Sequence, residues 1–357
     1  MFNGGEVLVR TLSQRGVDTV FFVAGGTYVT VLEALSRQSS IRAVATRLES
    51  SATFAAEAYA ALRRKPACVF VSRAPGAANA SIGIHTAMQA SRPMVLFVAN
   101  IPRPMKQREA FQEVDYRLMY SPIAKAVFDV HSFNELAEVT ARALDLSVSG
   151  RPGPVVVSVS RDVLDGETGE PTMPRPAVAI RSGPDADGLS QTLNLLRDAE
   201  RPLVIAGEMV HFELAHEELK AFVARSGAGV LGAYRQQDVY PNTDVGWLGQ
   251  LALNRTEHTE KALDDCDLLI SLGSRLDSVT TDDYAMMRDH QKWVMVYPEP
   301  SAFSQWQPDV ALAAHVKPTL KALIDGITEP PPAERLNWRA ALHEREAAFA
   351  HPGDLAV

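Results

Sequence analysis

The chain has 357 residues, 46% of them hydrophobic and 22% charged, which is too long for one ordinary core and fits two domains. Its formal charge of −8 argues against a sequence-independent grip on nucleic acid or on an anionic membrane. Two cysteines only, Cys68 and Cys266, argue against a disulfide scaffold or a cysteine-based zinc site, and no apolar run approaches the roughly 18–20 residues of a membrane span.

Residues 1–6 lack the basic region and apolar stretch of a signal peptide, so a cytoplasmic protein is expected. Val7, Leu8 and Leu12 share one helix face, with Gly16 as its stop before a strand over Thr19–Val23. A helix over Val29–Leu35 and a strand over Arg42–Thr46 follow. Ser51–Arg63 reads as a helix because alanine has the highest helix propensity. Ala67–Ser72 and Met94–Ala99 are near-continuous apolar runs, as expected of strands covered on both faces, and Asn79–Ser91 between them predicts a helix. Ala126–Val130, Glu135–Leu146 and Pro154–Ser160 add strand, helix, strand. This alternation predicts a doubly wound parallel sheet over residues 1–165.

Residues 166–188 break the rhythm with Pro171, Pro174, Pro176 and Pro184 and read as a linker. The alternation resumes over 189–330, with helices over Leu189–Leu196, Glu213–Ser226, Thr259–Asp265 and Pro318–Ile327. Strands are expected at Leu203–Ala206, Gly229–Leu231, Leu268–Leu272 and Trp293–Tyr297. The whole is thus an α/β protein of two doubly wound parallel-sheet domains. Residues 331–357 read as a polar, Arg/Glu-rich helical tail.

Four features fall at successive strand ends of the first domain. Val23-Ala24-Gly25-Gly26-Thr27 follows a strand and precedes a helix, where glycines permit close approach of a ligand to the backbone; the same residues also suit a tight βα turn. Glu49 belongs at the carboxyl end of a strand, where α/β ligands bind; alone, it is equally a carboxylate favoured by a helix N-terminus. Ser72-Arg73-Ala74-Pro75-Gly76-Ala77-Ala78-Asn79 and Glu109–Asp115 occupy the next two strand ends, the second also readable as a solvated loop. Together they would converge on one crevice.

These segments, in order and spacing, resemble the thiamine diphosphate enzymes of the acetolactate synthase and pyruvate oxidase type. Ala24-Gly25-Gly26 resembles their Pro-Gly-Gly turn, and Arg47-Leu48-Glu49 their Arg-His-Glu. Ala74–Asn79 is similar to Gly-Pro-Gly-Ala-Thr-Asn, and Ala110-Phe111-Gln112-Glu113 to Ala-Phe-Gln-Glu. In the second domain, Gly273-Ser274-Arg275-Leu276-Asp277 resembles Gly-x-Arg-Phe-Asp. The likeness spans essentially the whole chain. It implies a pyrimidine-binding (PYR) domain followed by the family's central domain.

In that family the residue matching Glu49 hydrogen-bonds N1′ of the aminopyrimidine and activates the cofactor. By the same resemblance Gly25, Pro75 and Asn79 line the pyrimidine, with Gly26 and Ser72 beside them, while Phe111 and Gln112 stand next to the reacting carbons. Glu49 and Gln112 are thus the catalytic candidates, and Phe111 and Gln112 the substrate pocket. Ala24, Leu48, Ala74 and Ala78 depart from the family pattern and bear on substrate identity.

Tyr297-Pro298-Glu299-Pro300 replaces the Asp-Ile-Asp-Pro of flavin-binding relatives, so FAD is not expected. The chain also lacks the Gly-Asp-Gly…Asn of the family's diphosphate-binding (PP) domain; Gly353-Asp354-Leu355 is not one. Mg²⁺ and the diphosphate would therefore be held by a PP-domain partner, with no metal site here. The implied function is the PYR-plus-central subunit or fragment of a carboligase or decarboxylase acting on a 2-oxo acid, self-associating through the PYR domain. The competing reading is a non-catalytic regulatory or scaffolding relative, which would have no reason to keep Glu49. A nucleotide-binding oxidoreductase is disfavoured, because no Gly-x-Gly-x-x-Gly follows a strand.

Overall fold

The computed structural model describes residues 1–350 except Pro176, Ala179 and the side chain of Thr168. Pro176 of the expected linker, and residues 351–357 with Gly353-Asp354-Leu355, lie outside the described residues. The chain divides into two compact units, 1–179 and 180–357.

The first unit runs β1 (Phe2–Asn3), α1 (Gly4–Gln14), β2 (Thr19–Phe22), α2 (Val29–Arg37), β3 (Arg42–Ala45), α3 (Glu49–Arg63), β4 (Ala67–Val71), α4 (Ala74–Gln89) and β5 (Met94–Asn100). It continues with α5 (Tyr116–Tyr120), β6 (Ala126–Val130), α6 (Phe133–Val148), β7 (Pro154–Ser160), α7 (Arg161–Leu164) and β8 (Glu167–Thr168). Asn3 and Glu6 form a reciprocal capping box at the start of α1, 2.9 and 3.0 Å. Gly16, at φ +71°, ends that helix, and the Val17 N–H donates back to the Leu12 carbonyl at 3.0 Å.

Six strands form one parallel sheet in the order β3-β2-β4-β5-β7-β6, and β1 pairs antiparallel with β8. Apolar clusters cover both faces: Val20, Phe70 and Phe97 belong to one, Phe21, Val69 and Leu96 to the other. Because β2 continues to β3 on one side and β4 lies on the other, strand order reverses between β2 and β4. A crevice outside the carboxyl ends is expected at that reversal.

The second unit runs α8 (Ala186–Asp198), β9 (Pro202–Ala206), α9 (Glu208–Phe212), α10 (His216–Ser226), β10 (Gly229–Gly232), β11 (Trp247–Gln250), α11 (Glu257–Asp265) and β12 (Leu268–Leu272). After these come α12 (Ser278–Thr281), β13 (Lys292–Val296), β14 (Val310–Leu312), α13 (Val316–Gly326) and α14 (Ala333–Ala350). Its six parallel strands are ordered β11-β10-β9-β12-β13-β14. Both sheets are the doubly wound parallel type expected.

Several boundaries differ from the sequence reading. The helix expected from Asn79 starts at Ala74, so Pro75–Asn79 forms its first turns rather than a loop; proline there gives up an N–H that has no intrahelical partner anyway. The helix expected from Glu213 starts only at His216, as α10; Leu214, left-handed at φ +55°, separates it from the short α9. The short α5, β11 and β14 are too brief to show a period. The helix of the expected tail is docked on the second unit. Arg335 of α14 is buried and donates to the carbonyls of Ser226 at 2.6 Å, Leu196 at 3.1 Å and Ala199. No described helix is long and apolar enough to cross a membrane.

Candidate functional site

At the β2–β4 reversal, the segment after β2 is pinned by Tyr28. Its ring is 1% exposed, and its hydroxyl donates to the Val23 carbonyl and, at 3.3 Å, to the Phe70 carbonyl of β4. Burial, and then the negative charge of Glu49, push the Tyr28 phenol upward, so it remains a neutral donor. Gly25 passes so close to Ser72 that a Cβ would stand 3.0 Å from the serine Cβ. The hydroxyls of Thr27 and Ser72 then meet at 2.8 Å.

Gly26 behaves differently. A Cβ there meets nothing within 4 Å, and its backbone is not left-handed. Nothing in the chain requires glycine at 26; the space in front of it is open to a ligand.

Glu49 is the first residue of α3, half-buried, with Leu48 as the cap. Its Oε2 accepts from Asn79 Nδ2 at 3.0 Å. From the other side Gly76 of α4 approaches, and a Cβ on it would lie 2.9 Å from Glu49 Oε1. The bare glycine therefore leaves Oε1 room while the asparagine amide orients its partner oxygen. Pro75 and Asn79 are exposed on the first turns of α4.

The segment after β5 joins the same face through Arg73, whose guanidinium donates to the Phe111 carbonyl at 3.3 Å. Phe111 is 78% exposed. Gln107, Glu109 and Gln112 all take left-handed backbone at φ +61°, +55° and +66°, a conformation costly for residues with a Cβ. Glu113 holds the loop in it: its two carboxylate oxygens accept from the backbone N–H of Gln107 at 2.6 Å and of Ala110 at 3.0 Å. Those two N–H groups hold the Glu113 carboxyl below the usual glutamate range.

The structure thus joins Glu49 to Asn79 and Gly76, and Gly25 to Ser72, by direct contact. Phe111 is tied in through Arg73. Gln112 makes no hydrogen bond to this group among the described residues. Tyr28, Thr27 and the clamping role of Glu113 were not anticipated; Tyr28 carries no signal in the sequence, because its partners lie on another strand. The set fits the aminopyrimidine half of thiamine diphosphate: a carboxylate oxygen with free space, an oriented amide, and bare glycines at the reversal. Among the described residues no three His, Cys, Asp or Glu side chains group to hold a metal ion.

Comparison with known proteins agrees with this geometry. Residues 2–119 match the family model of the thiamine pyrophosphate enzyme N-terminal TPP binding domain, and residues 189–323 that of the thiamine pyrophosphate enzyme central domain. The chain belongs to the thiamine pyrophosphate-dependent enzyme family. Within that family it is similar to acetolactate synthases. It is 29% identical to the acetolactate synthase large subunit of Corynebacterium glutamicum over 99% of this chain and 58% of that protein. It is 30% identical to the chloroplastic acetolactate synthase 3 of Brassica napus, over 97% of this chain and 54% of that protein. The chain spans a little over half the length of these two relatives.

Proposed function

We propose that this chain supplies the pyrimidine half of a thiamine diphosphate site in an acetolactate synthase-like enzyme acting on a 2-oxo acid. The observation that carries the reading is the Glu49 carboxylate, held at Oε2 by Asn79 and given space at Oε1 by Gly76. When bound, thiamine diphosphate supplies a nucleophilic thiazolium carbon that adds to 2-oxo acids. Glu49 presents Oε1 to a ring nitrogen and exchanges a proton with it; Asn79 keeps the carboxylate from rotating away. Gly25 and Gly26 allow the ring to reach the backbone, and Phe111 shields the reacting side from water.

Diphosphate and Mg²⁺ are held, in this proposal, by a PP-type domain from another chain or from a continuation of this one. The strand-end face is then an interface. Leu48 at the start of α3, Phe54 in α3 and Ile82 in α4 are exposed, apolar surface that suits self-association of the first unit.

The test is Glu49→Gln in the complete assembly, read by hydrogen–deuterium exchange at C2 of bound cofactor. The swap keeps shape and removes the titrating proton, so exchange falls by about two to four orders of magnitude with the melting temperature unchanged. Exchange at the parent rate would remove Glu49 as activator and with it this reading.

A further inference from the structure

The carboxyl ends of β5, β6 and β7 surround a second cavity, of about 290 Å³, on the far side of the 107–113 loop. Lys106, Tyr116, Arg117, Asp129 and His131 line it, together with Glu113. Most of its carboxylate oxygens are already used by the fold. Both oxygens of Glu113 take backbone N–H groups. Asp115, also at the wall, caps α5 by accepting from the N–H of Arg117 at 2.9 Å and of Leu118 at 3.2 Å. Asp129 accepts from Ser158 Oγ at 2.9 Å and from Lys106 Nζ at 2.8 Å.

Two of its donors are not used. Arg117 is exposed, and its guanidinium has no hydrogen bond or ion pair among the described residues. Tyr116 is 3% exposed, and its buried hydroxyl has no partner among the described residues. Buried hydroxyls are rarely left unpaired in native proteins. Burial pushes this phenol upward, so it is a neutral O–H rather than a phenolate. Two unpaired donors at one wall, one of them buried, call for an oxygen-rich partner. The planar fork of a guanidinium matches a carboxylate, and both oxygens of Glu113 and of Asp129 are engaged by the fold.

We propose that this cavity binds a small organic carboxylate, gripped by the Arg117 guanidinium and the Tyr116 hydroxyl. Lys106 and His131 form its rim. Gln107 and Glu113, of the loop that carries Phe111 and Gln112, line the cavity, and the carboxylate then has two sources: a second acid group on the substrate, or a free acid acting as effector. The chemistry of recognition is the same for both, and it is independent of thiamine diphosphate.

The experiment is calorimetric titration of the full chain, without cofactor, with 2-oxoglutarate, with succinate and with inorganic phosphate. Saturable one-site binding of a dicarboxylate is expected. Binding of 2-oxoglutarate alone assigns the site to substrate, and equal binding of both acids assigns it to an effector. Arg117→Gln, at an exposed position, weakens the binding about tenfold, the loss of one charge-assisted pair. Tyr116→Phe weakens it several-fold without lowering the melting temperature. No saturable binding of either acid, phosphate binding more tightly than both, or unchanged affinity in Arg117→Gln would overturn the proposal.

Discussion

The two units share one design, six parallel strands with a reversal of order near the middle, and they use the reversal in opposite ways. Between β2 and β4, side chains stand at the crevice: Thr27, Ser72, Glu49 and Asn79, with open space before Gly26. Between β9 and β12, backbone fills it. Gly207 after β9 lies against Gly273 and Ser274 after β12, where a Cβ would come within 2.5 Å of the Gly273 carbonyl oxygen. The Gly207 and Met209 N–H groups donate to the carbonyls of Leu272 at 2.9 Å and Gly273 at 3.0 Å. Buried Glu208 accepts from the Tyr297 hydroxyl at 3.1 Å. The topology marks where a crevice can form; the residues just past the strands decide whether it opens.

Breaking the closed crevice should have the largest effect. Gly207→Val drives a side chain into backbone that cannot move aside, and we expect a loss of about 3 kcal/mol or more in urea unfolding of the chain. A variant as stable as the parent would mean that the second crevice is not sealed.

At the open crevice the same kind of change should spare the fold and harm the site. Gly76→Ala meets the end of a flexible side chain, Glu49, so the stability loss stays below about 1 kcal/mol. The displaced carboxylate nonetheless loses Asn79, and C2 exchange of cofactor in the complete assembly falls about tenfold. Equal exchange in variant and parent would show that the position of Glu49 is not critical.

The adjacent glycines separate packing from binding. Gly25→Ala crowds Ser72 and costs about 1 kcal/mol. Gly26→Ala changes stability by less than about 0.5 kcal/mol, yet lowers cofactor affinity in the assembly, because its methyl occupies the open space. Cofactor titration of both variants, paired with their melting temperatures, distinguishes the two roles.

The smallest effect is a titration. The folded Glu113 carboxyl lies below its unfolded value, so its clamp on the 107–113 loop is complete above the ordinary glutamate range, about pH 4.5. It is lost as pH falls through the lowered folded value. The amide shifts of Gln107 and Ala110, followed by NMR into acid, should move in that window and be flat in Glu113→Gln.

Much of the fold was legible in the chain because its causes are local. Apolar runs such as Ala67–Val71 and Met94–Asn100 declare strands buried on both faces, and the alanine-rich Ser51–Arg63 declares its helix. Glu49 and the segment from Ser72 to Asn79 could be named as candidates from their places after strands, and the resemblance implied the roles of Ser72 and Asn79. What the sequence alone did not determine is which of them meet. Glu49 and Asn79 are 30 residues apart along the chain, Gly25 and Ser72 lie at the ends of different strands, and no spacing encodes strand order. Pro75 and Gly76 read as loop by propensity, yet they open a helix, because the missing proline N–H costs nothing there and the absent Cβ gives Glu49 its room. Tyr28 and Tyr116 carry no signal in the sequence. The surroundings of their hydroxyls, one bonded to two carbonyls and one facing a cavity without a partner, are set by other strands and exist only in the folded molecule.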